Sequence, residues 1–153
     1  MQKAWALTKN TKGFTIIELL VTIVVIGILI TITTVSYNGI SQRSRDSERG
    51  SDVTQIKIAL EKYHAEKGRY PAVCPAVNTG CSIGLLGPEL EPYLKVIPHD
   101  PKAVVDSTGD YRYAHSIVQS DGYGIFVSYE AKPACKTGSK MNSSWWGVST
   151  PTC

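Results

Sequence analysis

Few of the residue patterns that build catalytic or metal centres occur in this chain. Its three histidines, His64, His99 and His115, stand at no HxxxH or HExxH spacing, and no serine sits in a GxSxG turn. The commonest zinc and nucleophile signatures are therefore excluded. The four cysteines include no CxxC pair, which favours disulfides over zinc. Asp100, Asp106 and Asp110 lack the glycine-centred acidic loop of an EF-hand and read as turn residues. No residue is assigned a catalytic, cofactor-binding or metal-binding role. A basic patch is missing as well. The formal charge of +3 comes from Lys3, Lys9 and Lys12, and beyond them thirteen Lys and Arg face thirteen Asp and Glu. Nucleic-acid binding stays possible but has no support in that balance.

What is present begins at Phe14. An apolar run of 22 residues extends to Val35, interrupted by the single carboxylate of Glu18. As an α-helix it measures about 33 Å, enough to cross the hydrocarbon of a bilayer. It is too long for a signal-peptide core, and residues 31–36 offer no small-residue cleavage site, so the run is expected to stay in the mature protein. Lys9 and Lys12 predict a cytoplasmic N-terminus with everything after Ile40 outside. A carboxylate in such a run is costly and needs a positive partner. The obvious one is an α-amino group made by cutting before Phe14. Snorkelling of Glu18 to the headgroups is the bland alternative.

Further along, Val53, Ile56, Leu60 and Tyr63 recur at three- and four-residue steps, and Gly68 and Pro71 close the pattern. The run and the stripe predict one helix over residues 14–67, apolar all round and then amphipathic, with Gly39 and Gly50 as weak points. An irregular stretch follows, with a short helix expected over 88–94. Tyr111, Tyr113, His115 and Ile117 alternate with Arg112, Ala114 and Ser116, and Tyr123, Ile125, Val127 and Tyr129 with Gly124, Phe126 and Ser128. With Gln119-Ser120-Asp121-Gly122 between them they predict an antiparallel hairpin packed on the helix stripe. The fold expected is α+β: a long N-terminal helix carrying a small antiparallel sheet. Cys74, Cys81, Cys135 and Cys153 lie in the outer part, where oxidation is permitted. Three pairings are possible, and proximity favours Cys74 with Cys81 and Cys135 with Cys153. The segment from Trp145 to Cys153 is expected to add a strand or a clamped loop, with one of Trp145 and Trp146 buried. Arg43, Arg45 and Arg49, interleaved with Asp46 and Glu48, read as a solvated or intersubunit salt-bridge face.

Lys12-Gly13-Phe14-Thr15-Ile16-Ile17-Glu18-Leu19-Leu20 resembles the leader junction of type IV pilins and type II secretion pseudopilins. The similarity continues through Val24-Val25-Ile26-Gly27-Ile28-Leu29 and Gly68-Arg69-Tyr70-Pro71. It returns at Tyr93-Leu94-Lys95-Val96-Ile97-Pro98-His99-Asp100-Pro101. The resemblance implies a leader over 1–13, a transmembrane and polymerisation helix over 14–38, its amphipathic continuation over 39–67, and an extracytoplasmic head over 68–153. It implies cleavage between Gly13 and Phe14 by a prepilin peptidase and N-methylation of Phe14. Glu18 would neutralise the Phe14 amine of a neighbouring subunit. Implied partners are further copies of the chain, other pilins, and an inner-membrane assembly platform with its ATPase. The destination is a cell-surface filament with no enzymatic activity of its own.

Three departures accompany the resemblance. Val35 stands where many relatives have proline, Lys102-Ala103 follow Asp100-Pro101 in place of Trp-Gly, and the calcium loop of major pseudopilins is not evident. Residues 135–153 instead resemble the disulfide-bounded loop of true pilins. A type IV pilus-like subunit is the first reading. A type II secretion pseudopilin is the second, and a membrane-anchored adhesin or DNA receptor that never polymerises the third.

Overall fold

A computed structural model describes residues 13–74, 80–116 and 122–153, with residues 33–36 described by backbone alone. The expected leader up to Lys12, Ile117 and residues 119–121 of the expected turn lie outside the described residues. The elements are helix α1 (Ile16–Lys67), strand β1 (Cys81–Ser82), a 3-10 turn (Ile83–Leu86), helix α2 (Gly87–Leu90), and strands β2 (Arg112–His115), β3 (Tyr123–Val127) and β4 (Cys135–Ser139). The chain divides into two units, one ending at Asn38 and the other Gly39–Cys153.

In the first unit α1 turns its apolar side chains outward. Ile16, Leu20, Val24, Ile28 and Ile32 are all more than half exposed. This helix is long and apolar enough to cross a membrane. Two of its threonines are satisfied locally: the Thr22 hydroxyl donates to the Glu18 carbonyl, and the Thr31 hydroxyl to the Ile28 carbonyl at 2.7 Å. Internal satisfaction of this kind is what a helix in hydrocarbon requires.

In the second unit the same helix packs inward. Val53, Ile56, Ala59, Leu60 and Tyr63 are buried and meet Tyr111, Tyr113, Tyr123, Ile125 and Val127 of the sheet. The tyrosines bury their rings and find acceptors for their hydroxyls. Tyr111 donates to Asp52 at 2.9 Å, Tyr123 to Glu61 at 3.2 Å and Tyr113 to the Pro71 carbonyl at 3.0 Å. At the end of α1, Gly68 takes φ +70° and its N–H donates to the His64 carbonyl at 2.8 Å. A left-handed residue at this point is a standard helix stop, and glycine adopts it without strain.

The sheet runs β1-β2-β3-β4, antiparallel throughout, with Tyr113 opposite Ile125 and Ile125 opposite Thr137. The helix expected over 88–94 is shorter and shifted, covering Gly87–Leu90 with a turn after it. The Ser82 hydroxyl caps the 3-10 turn by accepting from Gly84 N–H at 3.2 Å, and Ile83, Leu86 and Leu90 are drawn into the core. The turn leads directly into α2 with Pro88 in its first turn, where the missing N–H costs nothing.

Residues 143–153 form a clamped loop and not a full strand. Only Thr152 bridges, in parallel, to Lys136 on the outer edge of β4. Cys135 is joined to Cys153, and Cys74 to Cys81. The buried Lys136 ammonium donates to the carbonyls of Ser143, Trp145 and Gly147 at 2.9, 3.0 and 3.1 Å. All three of its protons are used. Trp145 is fully buried and Trp146 partly so, lying over Gly124 of β3. A Cβ at position 124 would come within 2.9 Å of the Trp145 ring, so glycine makes room for the indoles.

The arginine run corrects its sequence reading. Arg49 is 2 % exposed and holds Asp100 with two hydrogen bonds, at 2.5 and 3.0 Å. The same guanidinium reaches Asp46 at 2.7 Å and Glu130 at 3.1 Å. Arg45 grips Glu130 through a second fork, at 2.6 and 2.8 Å. Asp46 in turn accepts the N–H groups of Glu130 and Ala131. Hydrogen bonds from Arg45 hold the Glu130 carboxyl well below its usual range. Burial works against the charges of Asp46 and Asp100, but their N–H and guanidinium donors outweigh it and lower both. Arg45, Asp46 and Arg49 thus fasten two loops to the helix inside one subunit, where the interleaved signs had implied a solvated or intersubunit salt-bridge face; Arg43 and Glu48 of the same run stay exposed.

Candidate functional site

The helix begins with a reciprocal cap. Thr15 precedes the first helical residue, and its hydroxyl accepts the N–H of Glu18 at 3.3 Å. Glu18 reaches back, with one carboxylate oxygen accepting the Thr15 N–H at 2.9 Å and the Thr15 hydroxyl at 2.8 Å. This is the capping-box pattern, S/T-x-x-E, in which two otherwise orphaned backbone donors are satisfied. Thr15 is a functional residue that the apolar-run argument passed over, although its signal, Thr-Ile-Ile-Glu, is in the sequence.

Both bonds use the same oxygen, Oε2. The second, Oε1, has no partner among the described residues. Beside the carboxylate runs a shallow apolar groove of about 330 Å³ lined by Ile17, Glu18, Val21, Thr22 and Val25. A negative group in the first turn is also favoured by the helix dipole. The arrangement fixes the carboxylate at the helix start and leaves one of its oxygens without a partner among the described residues. Gly13 and Phe14 lie just before the cap, and Phe14 is 89 % exposed.

The histidines do not assemble. His64 stacks on Tyr70 with ring centroids 4.4 Å apart. His115 lies buried in β2, where burial lowers its pKa. His99 meets Asp110, and with Asp106 these two bring ligand-type atoms within 4.8 Å of one another. The His99 Nδ1 to Asp110 Oδ2 separation of 2.5 Å is that of a hydrogen bond. Two ligands on one metal ion would stand wider apart. Asp110 is committed to the backbone as well, accepting N–H groups from Asp100, Asp106 and Tyr111. Its work is to build the turn.

Comparison with known proteins adds a family-level signal at the same residues. The family model for the prokaryotic N-terminal methylation motif matches residues 8–34, which contain Gly13, Phe14, Thr15 and Glu18. Type II secretion system core protein G of Escherichia coli (strain K12) is 26% identical over 151 residues, covering 93% of this chain and 95% of that protein. The protein of the same name in Aeromonas hydrophila is 26% identical over 98 residues, 61% of this chain and 68% of its own. Fimbrial protein EcpC of Eikenella corrodens is 41% identical over 72 residues, 47% of each chain. No solved structure matches.

Proposed function

The chain belongs to the family of type IV pilins and type II secretion pseudopilins, structural filament subunits and not enzymes, and from that premise we propose that it is a processed subunit polymerising through the first half of α1. A prepilin peptidase cuts between Gly13 and Phe14, and the new Phe14 amine is methylated. As subunits gather, Glu18 accepts the Phe14 ammonium of a neighbour at its unused Oε1. Cleavage before Phe14 leaves the Thr15 N–H in place, so the cap survives processing and keeps the carboxylate aimed. Two opposite charges that leave the membrane together are tolerable as a pair, whereas a lone buried charge is strongly destabilising. Before assembly the subunit is a single-pass membrane protein with its N-terminus cytoplasmic.

The observation that carries this reading is the exposed apolar surface of α1 broken by one capped carboxylate in its first turn. For the machine served, coverage favours a secretion pseudopilus: the relative aligned along nearly the whole chain is a type II secretion core protein. The type IV pilus reading draws on the fimbrial relative, more identical but over fewer residues, and on the bridged loop 135–153. Intact-mass measurement of the chain from producing cells tests the processing, with a methylated Phe14 expected at the N-terminus. Retention of Met1 would overturn it. Electron microscopy then separates the machines: short fibres confined to the envelope support secretion, long surface fibres a pilus. A correctly processed chain that forms no fibre supports a membrane-anchored adhesin or receptor.

A further inference from the structure

Two apolar features of the head stand in water, and their shapes are opposite. One is a groove of about 500 Å³ on the outer face of α1, with Ile58, 51 % exposed, on its floor and Thr54, Lys57, Glu61, Lys62 and Ala65 around it. The other is a projecting turn at Val104 and Val105, 77 % and 57 % exposed. The turn is held from within. Ser107 N–H returns to the Val104 carbonyl at 3.0 Å, and buried Asp110 accepts the Asp106 N–H at 3.0 Å. The Ser82 hydroxyl bonds Asp106 from the other side. Adjacent exposed valines on a fixed platform are unfavourable in water and advantageous for docking, since little order remains to be imposed on binding.

The charges match as well. Glu61 keeps its charge while accepting the hydroxyls of Tyr70 and Tyr123 at 3.0 and 3.2 Å, and two lysines stand against it. Lys62, exposed and in no ion pair among the described residues, and Lys57 therefore leave the groove rim net positive. Asp106 puts a carboxylate beside the valines, exposed on the same turn. Resting on the reading of the chain as a filament subunit, we propose that the groove around Ile58 receives the Val104-Val105 turn of a second copy of this chain. Groove and turn are different patches of one surface, so the contact is heterologous and repeats from copy to copy without closing into a pair, as a filament requires. The patch is small. It adds to the contacts between helices and gains its weight from repetition along the fibre.

A photo-crosslinking amino acid in place of Ile58, in the full chain within assembled filaments, tests this. The expected product is an adduct of two chains whose cross-linked peptide contains Val104 and Val105. Val105→Asp, at an exposed position, is expected to lower both adduct and sheared filament yield about tenfold, with the melting temperature of the head unchanged. Glu18→Ala should yield neither filament nor adduct. Filaments that form normally but cross-link position 58 elsewhere, to another protein or to nothing, overturn the proposal alone, as do Val105→Asp filaments at the unmodified yield. Absence of filaments from the unmodified chain overturns the filament reading and this contact with it.

Discussion

Between residues 16 and 32 helix α1 turns isoleucine, leucine and valine outward on every side, and between residues 45 and 63 it turns Val53, Ile56 and Leu60 inward onto a sheet. The two stretches treat charge in an equally opposite way. In the first, Glu18 stands on an exposed apolar surface, capped by its own Thr15 and with one oxygen uncommitted. In the second, Arg49 is buried and every charge around it is answered within the same subunit. On the proposed reading the first stretch is completed by a neighbouring subunit, whereas the ion pairs around Arg49 are complete once the head has folded. Substitutions in the first should therefore be felt in assembly, and those in the second in folding.

The largest expected break is Glu18→Ala, which should abolish filaments seen by electron microscopy while head melting is unchanged. Loss of head stability in that variant would dissolve the distinction between the two stretches. Next comes Arg49→Ala, which leaves buried Asp100 and partly buried Asp46 without their guanidinium. Removing one partner of a buried ion pair costs about 3–5 kcal/mol, read by denaturant unfolding of the purified chain. Opening the Cys135–Cys153 bridge with serine at both positions should cost about 3 kcal/mol by the loop-entropy estimate. Tryptophan emission should shift red at lower denaturant as Trp145 leaves its cover.

Acid titration sharpens the contrast. Asp46, Asp100 and Glu130 have folded pKa values below the ordinary carboxylate range, so the unfolded chain binds protons first as pH falls. Their contribution is complete above about pH 4–5 and is lost as pH drops through the folded values. His115, lowered by burial, adds a milder loss beginning below about pH 6.5. Asp52, raised by burial, runs the other way and lessens the slope. Melting temperature measured from pH 7 to pH 3 should fall chiefly at the acid end, and less steeply in Arg49→Ala. The smallest effect is that of Thr15→Val. Loss of a cap costs about 1 kcal/mol, so filament yield should drop about fivefold and not vanish.

Both stretches of α1 were legible in the sequence because each follows a local rule: an unbroken apolar run, then a stripe at three- and four-residue steps. Alternation marked β2 and β3 for the same reason. Strand β4 was not legible. Cys135-Lys136-Thr137-Gly138-Ser139 has no alternating apolar residues, and its place depends on pairing with β3 and on the loop clamped across it. The Arg49 cluster escaped too. Its main partner, Asp100, is 51 residues away, and nothing in the spacing of either residue announces the other. At the helix start the glutamate declared itself by its cost in an apolar run, and its cap by the threonine three residues earlier.

Arg49 can also be seen as a mechanical joint. A fibre pulled along its length loads the helices first and the heads through whatever fastens them to those helices. Here that fastening includes an arginine of α1 gripping a loop at Asp100 and, with Arg45, a second at Glu130. To peel the sheet from its helix is to strand a guanidinium and its carboxylates before water can reach them. Such a joint should yield late and all at once, so that under load the sheet stays seated on the stretch of helix that carries Arg45 and Arg49.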